Sequence, residues 1–325
     1  MDQKKVKFDL GSLPWGTEVL RKAFFRRPFD IRNAIQEHPG FSAHADLLSL
    51  RLSLDIFMDS VMDLFKSVET FNMESQENKF WTRPMDQQFN ARLLAIRRGV
   101  FAAATTAMAL VDHSRVVNKN INVPNYQKQV DKLFVTNERH QFIQGLRQCI
   151  SHFRMVESDW EQTWSKTKRH TRFVLHCEKL LAYSNWKPLA KSYIEKHSKG
   201  VDLEILLKEY QACVEEFHAW FHSEIQRMAE PGLSEYREYE RKINCFAAKA
   251  SWNVLLQQVV IARGLDPYQY LDRYLNDSDI AEVLSLTMRS QKQVDRIIEI
   301  VDDYKACDDE LRRVVYRAFK VLGCV

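Results

Sequence analysis

The sequence predicts an all-α fold, an antiparallel bundle of long helices with one small β-hairpin inserted. The 325 residues include only 9 glycines and 8 prolines, so turns are few and the elements between them are long. Apolar residues recur at steps of three and four over several long stretches, as on one face of a helix. With 45% apolar and 28% charged residues, the composition is typical of an ordinary soluble folded chain.

The first half of the chain contains two long predicted helices. Residues 1–40 hold an irregular lead and one or two short helices, which end at a Pro-Gly pair. An amphipathic helix follows from Ser42 to Phe71, and a second runs from Asp86 to about Asn118. The longest apolar stretch, Gly99 to Val111, is shorter than the roughly 20 residues that span a bilayer, so we expect a buried helix and no membrane segment.

The middle of the chain combines a central helix with the one predicted β segment. Val130 to Met155 has a continuous apolar stripe and no proline, which indicates a single long helix. Trp160 to Leu181 is rich in Trp, Thr, Phe and Val with partial alternation, which favours a short hairpin. A short helix, Trp186 to His197, then precedes a long one that Asp202 caps and that ends near Met228.

Pro231-Gly232 is the clearest break and divides the chain into two predicted domains. Residues 1–230 form the bundle with its N-terminal lead, and residues 231–325 form a helical extension packed on it. The extension contains amphipathic helices from Leu233 to Arg263 and from about Gln291 to Leu322.

Charge, cysteine usage and the N-terminus suggest a cytoplasmic protein. The formal charge of +4 comes from 47 basic and 43 acidic residues, a balance that permits nucleic-acid binding without requiring it. Six cysteines are scattered singly, with no metal-binding or disulfide spacing, as in a reducing cytosol. The N-terminus lacks the apolar run of a signal peptide.

No motif for a metal or cofactor emerges from the sequence. Gly-rich phosphate loops and the nucleophile-elbow motif are absent. His218 and His222, with Glu215 one turn earlier, share a helix face at a spacing that zinc sites use. The complete His-Glu-x-x-His motif and a third ligand are missing, so we predict neither metal nor cofactor.

The chemistry-bearing residues of the central helix are Arg147, Gln148 and His152. Arg147 and His152 point about 140° apart, with about 7.5 Å of rise between them, and flank a common groove. Gln148 lies one turn before His152, where its amide can hold one imidazole nitrogen and leave the other free for proton transfer.

An arginine followed by a histidine with four to six residues between them occurs three times in the chain. Arg32 and His38 lie where a helix stops at Pro-Gly. Arg169 and His176 lie in the β-branched stretch. Only the Arg147 motif lies inside a long amphipathic helix, so context rather than spacing selects it.

The segment FIQGLRQCISHF, Phe142 to Phe153, resembles the Arg-x4-6-His signature of the HEPN superfamily, in the form found in bacterial defence proteins. In the nuclease members of that family the motif lies on a long helix of an antiparallel bundle, and a polar residue follows the arginine. Gln148 departs from the Asn, Asp or His that is usual there.

The resemblance implies a metal-independent endoribonuclease that acts as a toxin or an anti-phage abortive-infection effector. His152 is the expected general acid or base, Arg147 neutralises charge on the phosphate, and Gln148 orients His152. It also implies a homodimer, RNA such as tRNA or mRNA as substrate, and a regulatory partner protein.

Further polar residues are candidates around this motif. A basic run in the predicted hairpin and arginines of the central helix are the expected RNA-binding groups: Arg139, Arg154, Lys166, Lys168, Arg169 and Arg172. Asp112, His113, Arg115 and Ser151 are candidates for supporting or substrate-binding roles, although the first three are better explained as a structural hydrogen-bonding cluster.

Two other functions are compatible with the sequence. One is a catalytically silent HEPN-like scaffold or protein-binding module. The longer side chain of Gln148 and the modest net charge favour this function. The other is an adaptor that binds a partner protein through the helices from Leu233 onward.

Overall fold

The computed structural model describes residues 10–155, 158–164 and 169–323. In those ranges α-helices dominate, and three short strands form one antiparallel sheet. The predicted fold class, mostly α with a small β insert, is confirmed.

The α-helices are numbered here in chain order. They are α1 Thr17–Arg26, α2 Pro28–Ala34, α3 Gly40–Glu74, α4 Asp86–Ile121, α5 Tyr126–Val130, α6 Glu138–His152, α7 Cys177–Leu181, α8 Pro188–Lys196, α9 Leu203–Ala229, α10 Gly232–Val254, α11 Asp277–Leu284, α12 Gln291–Val301 and α13 Asp309–Phe319. Two π-helical segments, Asp131–Val135 and Leu255–Ile261, and a 3-10 segment, Pro267–Arg273, connect some of them.

The chain divides into two compact units, and the N-terminal residues belong with the C-terminal ones. The first unit comprises Met1–Ser42 and Pro231–Val325, and the second is Ala43–Glu230. The sequence prediction grouped residues 1–42 with the bundle instead. The reason for the difference is a shared core, in which apolar residues of α1 and α2 pack against α10: Leu20, Phe24, Ile31, Tyr236, Tyr239 and Ile243.

The long helices of the second unit follow the predicted stripes. The ends of α3 and α4 agree with the predicted ones to within three residues. The two helices approach closely at Gly99, where an added Cβ would lie 2.9 Å from the Leu64 side chain. Only glycine leaves room for so tight a crossing.

The predicted single helix from Val130 to Met155 is interrupted. The π-helical segment Asp131–Val135 follows α5, and α6 begins only at Glu138. Asn137 causes the break, because its extended backbone lets its side-chain oxygen accept from the Arg139 amide at 3.0 Å. This N-cap satisfies one of the free amides at the start of α6.

The predicted hairpin is present as β1, Ser158–Trp164, and β2, Arg169–Leu175. The two strands pair in antiparallel register from Ser158 opposite Leu175 to Trp164 opposite Arg169. A third strand, β3 (Val201–Asp202), pairs with the last two residues of β2. Two residues are too few for the alternation that identifies a strand in a sequence.

Side chains of α3 occupy the part of the β2 edge that β3 leaves open. The Asn72 amide oxygen accepts from the Thr171 amide at 2.9 Å. Gln76 accepts from the Arg169 amide at 3.0 Å and donates to the Arg169 carbonyl at 2.7 Å. Two amide side chains one helical turn apart therefore substitute for a neighbouring strand.

The last predicted helix, Gln291 to Leu322, is two helices in the structure. The Asp302 carboxylate accepts from the amides of Ala306 and Cys307 at 2.8 and 2.9 Å, which closes a loop after α12. Asp308 then caps α13. Apolar residues from both helices, including Val294, Ile297 and Leu311, share one core of the first unit.

One described helical segment, Arg83–Ile121, is long and apolar enough to pass a length-and-composition test for a membrane span. Core helices of soluble proteins pass the same test. One face of α4 is buried in the second unit, including Ile96, Val100, Ala104 and Met108.

Candidate functional site

The motif lies at the C-terminal end of α6, half-buried at Arg147 and Gln148 and exposed at His152. His152 is the last residue of the helix, because Phe153 leaves helical geometry at φ −120° and ψ −69°. The opposite face of α6 is buried and faces the bundle: Phe142, Ile143, Leu146, Cys149 and Ile150.

The three motif side chains are unengaged. In the described ranges no hydrogen bond or ion pair involves the side chain of Arg147, Gln148 or His152. The expected bond from Gln148 to His152 is therefore not formed. The imidazole and the guanidinium remain available to a ligand.

Trp186 holds this helix in position. Its ring stacks on Phe142 at a centroid distance of 5.4 Å and an angle of 12°. Its indole nitrogen donates to the Leu180 carbonyl at 2.7 Å. A Cβ at Gly145 would come within 2.6 Å of the indole ring. Gly145 therefore leaves room for this aromatic ring.

The residues that follow His152 form an exposed apolar surface. Phe153 and Met155 are 49% and 48% exposed, and the Phe153 ring contacts Tyr183 at 5.6 Å. Arg154 lies over the Phe153 ring at 5.1 Å, and its guanidinium donates to the Lys179 carbonyl at 3.1 Å. Of the predicted RNA-binding residues, Arg154 is thus close to the motif and retains part of its donor capacity.

Two other predicted RNA-binding arginines are paired with carboxylates. Arg139 bonds Glu209 at 2.9 Å, and Arg172 bonds Glu161 at 2.5 Å. Arg139 lies in the first turn of α6, about 12 Å along the helix axis from Arg147. These pairs neutralise the charge that the sequence assigned to RNA binding.

Arg169 anchors the hairpin to the end of α3. Its guanidinium donates to the Ser75 carbonyl at 3.2 Å and to the Asn78 side chain, and it lies 4.4 Å from the centroid of the Trp164 ring. The remaining predicted members of the basic run, Lys166 and Lys168, lie outside the described residues.

The predicted supporting residues form separate local contacts on α4. Asp112 pairs with Arg115 at 3.0 Å on an exposed face. The Ser53 hydroxyl donates to the Ser49 carbonyl at 2.8 Å, and the same oxygen lies 2.6 Å from His113 Nδ1. His113 thus contacts α3, whereas Asp112 and Arg115 contact each other. Ser151 is exposed beside His152 on α6.

The sequence did not single out His140, which the structure places in the core of the second unit. His140 Nδ1 lies 3.1 Å from the Tyr210 hydroxyl, and the two rings stack at 5.9 Å. Burial lowers the pKa of His140 to about 4, and the positive charges of Arg115 and Lys187 act in the same direction. His140 lies three residues before Ile143 on the apolar stripe, and this position in the sequence could have indicated that its side chain is buried.

His218, one of the two histidines at zinc-site spacing, is also buried. Burial lowers its pKa to about 4, with a smaller contribution from His222. Among the described residues, no three His, Cys, Asp or Glu side chains are arranged to hold a metal ion.

Two grooves of the second unit lie along α3. One, of about 450 Å³, is lined by residues of α3 and α4 that include Asp63, Lys66 and Arg92. The other, of about 680 Å³, includes Phe65 and His170. The motif at the end of α6 lines neither, so it is a surface site.

Comparison of the chain with protein-family models, with curated proteins and with solved structures finds no match.

Proposed function

We propose that the protein is a metal-independent endoribonuclease whose site lies at the C-terminal end of α6. One observation carries the proposal: the side chains of Arg147 and His152 have no partner in the described ranges, whereas Arg139 and Arg172 are paired with carboxylates. An unengaged guanidinium and an exposed imidazole, one to two turns apart, supply a phosphate-binding cation and a proton-transfer group.

The reaction uses the RNA's own 2′-hydroxyl as nucleophile. His152, as the neutral imidazole, takes the proton from this hydroxyl while its oxygen attacks the adjacent phosphorus. The bond from phosphorus to the 5′-oxygen breaks, and the 5′-oxygen leaves after protonation. The products are a 2′,3′-cyclic phosphate and a 5′-hydroxyl. Arg147 binds the non-bridging oxygens, where negative charge increases in the transition state.

A second copy of the chain would complete this site. One imidazole cannot serve as base for the nucleophile and as acid for the leaving group at the same moment, so an opposed His152 fits the second role. The exposed Phe153 and Met155 beside His152 offer an apolar surface for such a contact. This agrees with the homodimer that the HEPN resemblance implies.

The biological role that accompanies this activity is that of a cytoplasmic, RNA-degrading toxin in anti-phage defence. That role, tRNA or mRNA as substrate, and control by a regulatory partner protein rest on the HEPN resemblance.

The test is cleavage of tRNA and of total RNA in EDTA by wild type, His152→Ala and Arg147→Ala. We expect wild type to give fragments with cyclic phosphate ends. His152→Ala should lose about 10²- to 10⁴-fold in rate, and Arg147→Ala about 10²- to 10³-fold, as for removal of a charge-stabilising donor.

Arg139→Ala is the matched control, since it removes an arginine of the same helix that Glu209 already pairs. It should retain cleavage within a few-fold. Identical fragments from wild type and His152→Ala would refute the assignment of the site.

A catalytically silent, protein-binding scaffold is the second candidate. It is favoured by the surface position of the motif and by the exposed apolar residues Leu48, Leu52 and Ile56, which follow one another at steps of four on α3. Wild type that leaves RNA intact, with any toxicity in cells unchanged by His152→Ala, would support it.

Truncation of the chain at Pro231 would not be a clean test of the adaptor function predicted for the C-terminal helices. Such a cut removes Tyr236, Tyr239 and Ile243, against which Leu20 and Phe24 pack. Point substitutions on the exposed surface of residues 231–323 avoid this damage to the core.

A further inference from the structure

The first unit has a basic surface on its two N-terminal helices, α1 and α2. Residues 17–32 contain five basic and two acidic residues, a charge of +3 against +4 for the whole chain. All five basic side chains are exposed: Arg21, Lys22, Arg26, Arg27 and Arg32.

Most of this charge is not neutralised within the fold. Arg21 pairs with Glu18 at 3.4 Å and Arg27 with Asp30 at 3.5 Å, in both cases between side chains about half exposed. Pairs of this kind are weak, because water and salt screen them. In the described part of the chain, the side chains of Lys22, Arg26 and Arg32 have no ion pair or hydrogen bond.

Two phenylalanine rings stand among these cations. Phe29 is 83% exposed and Phe25 is 59% exposed. The Phe25 ring contacts the edge of Phe24 at 5.3 Å, and Phe24 is buried in the core of the unit. Phe29 is the second residue of α2, whose start Pro28 fixes. Both rings therefore project from well-anchored backbone.

The remaining apolar residues of α1 and α2 are not available to a partner. Leu20, Phe24 and Ile31 are buried, and they pack with Tyr239 and Ile243 of α10. A helix that lies in a membrane interface needs a continuous apolar face to insert. Here that face is occupied by the protein's own core, and what remains is two separate rings between cations.

We propose that this surface, residues 21–32 of α1 and α2, binds single-stranded nucleic acid. Guanidinium groups bind phosphate oxygens in a planar, bidentate manner. Exposed aromatic rings stack on unpaired bases with little dependence on sequence. The two Phe Cα atoms lie within about 14 Å of each other, the reach of four extended residues, so both rings can contact one short strand.

The binding surface is independent of the cleavage site on α6. Fluorescence anisotropy of the full-length protein with a labelled 20-nucleotide oligo(dT) tests it without interference from cleavage, because DNA lacks the 2′-hydroxyl. Wild type should bind with an affinity that falls as salt rises. Phe25→Ala and Phe29→Ala should each weaken binding about 5- to 100-fold, the range typical for removal of one stacking ring.

Substitution of the arginines should change the salt dependence of binding. Arg26→Gln combined with Arg32→Gln should weaken binding at low salt and reduce the slope of log affinity against log salt by about 0.7 for each phosphate that is no longer bound. Tyr304→Ala and Arg317→Gln, substitutions elsewhere in the same unit, are the matched controls and should bind like wild type. Unchanged melting temperatures would show that each variant is folded.

Phe29→Leu separates nucleic acid from membrane as partner. Leucine keeps an apolar side chain for lipid but removes the stacking ring, so this variant should weaken oligo(dT) binding as Phe29→Ala does. Wild type that fails to bind oligo(dT), or Phe29→Ala and Arg26→Gln/Arg32→Gln variants that bind it like wild type, would overturn the proposal. So would capture of wild type and Phe29→Leu alike by phosphatidylserine vesicles without oligo(dT) binding.

Discussion

His140 and His152 lie on the same helix, twelve residues apart, and have opposite environments. His140 is buried, stacks on Tyr210 and has a pKa lowered to about 4. His152 is exposed at the helix end, and its side chain has no partner among the described residues. Depth in the bundle, rather than residue type, separates a histidine that packs in the core from one that is accessible to a ligand.

The arginines of α6 repeat this contrast. Arg139 is paired with Glu209 at 2.9 Å, whereas Arg147 is half-buried and its guanidinium is unengaged among the described residues. In both pairs the residue near the N-terminal end of α6 serves the fold, and the residue near the C-terminal end is free for a ligand. The N-terminal part of the helix thus carries side chains engaged within the fold, and its C-terminal end carries side chains with no partner among the described residues.

The largest effect that tests this contrast is the pH dependence of stability. His140 is neutral in the fold but becomes charged in the unfolded chain below a pKa of about 6.5. The stabilisation that comes from keeping His140 neutral is therefore complete above pH 6.5 and is lost as the pH falls towards 4. The free energy of unfolding should fall by about 3 kcal/mol over this range. Denaturation at a series of pH values from 7.5 to 4 would measure this loss.

The His140→Leu variant lacks this titrating group. Between pH 7.5 and 4 it should therefore lose less free energy of unfolding than wild type does. His218, whose pKa is also lowered to about 4, contributes in the same direction and keeps part of the slope. An equal slope in wild type and His140→Leu would contradict the buried, neutral state of His140.

A middle-sized effect is expected at Gly145, between the two ends of α6. Gly145→Ala places a methyl group 2.6 Å from the Trp186 ring, and overpacking of this kind costs about 1–3 kcal/mol. Alanine's better helix propensity, about 1 kcal/mol, offsets part of that cost. Urea denaturation should show a net loss of stability.

The cost should shrink in a Trp186→Leu background, because the ring that causes the clash is gone. Gly16→Ala is the control, since an added Cβ there has no atom within 4 Å. A stabilised Gly145→Ala variant would show that the indole ring moves aside freely.

The smallest expected effect is the difference in stability between the Arg139→Ala and Arg147→Ala variants. Arg139→Ala breaks a partly exposed ion pair with Glu209 and should lower the free energy of unfolding by at most about 1 kcal/mol. Arg147→Ala, which breaks no ion pair among the described residues, should change stability still less while it abolishes most RNA cleavage. A larger loss of stability in Arg147→Ala than in Arg139→Ala would reverse the assignment of the two ends.

The long helices of the second unit could be predicted from sequence because a period near 3.6 persists for about thirty residues in α3 and α4. The breaks at Asn137 and after Asp302 were missed, since the apolar period continues across both and only a short polar cap interrupts the helix. Local hydrogen bonds decide these boundaries.

The site was predictable in part for the same reason. The sequence places Arg147 and His152 on one helix, and the structure agrees. It could not show that Arg139 meets Glu209 or that Arg169 meets the Ser75 carbonyl, because those partners lie 70 and 94 residues away in the chain. Availability of a charged side chain is set by such distant contacts.

The amide side chains of Asn72 and Gln76 along β2 have a consequence for association between chains. An open strand edge is a template onto which a strand of another molecule can add. Asn72 and Gln76 already occupy the amides of Thr171 and Arg169, so that edge is closed to a foreign strand. The described strands at the two sides of the sheet are β1, of seven residues, and β3, of two, so β1 carries the longer edge for strand addition between molecules.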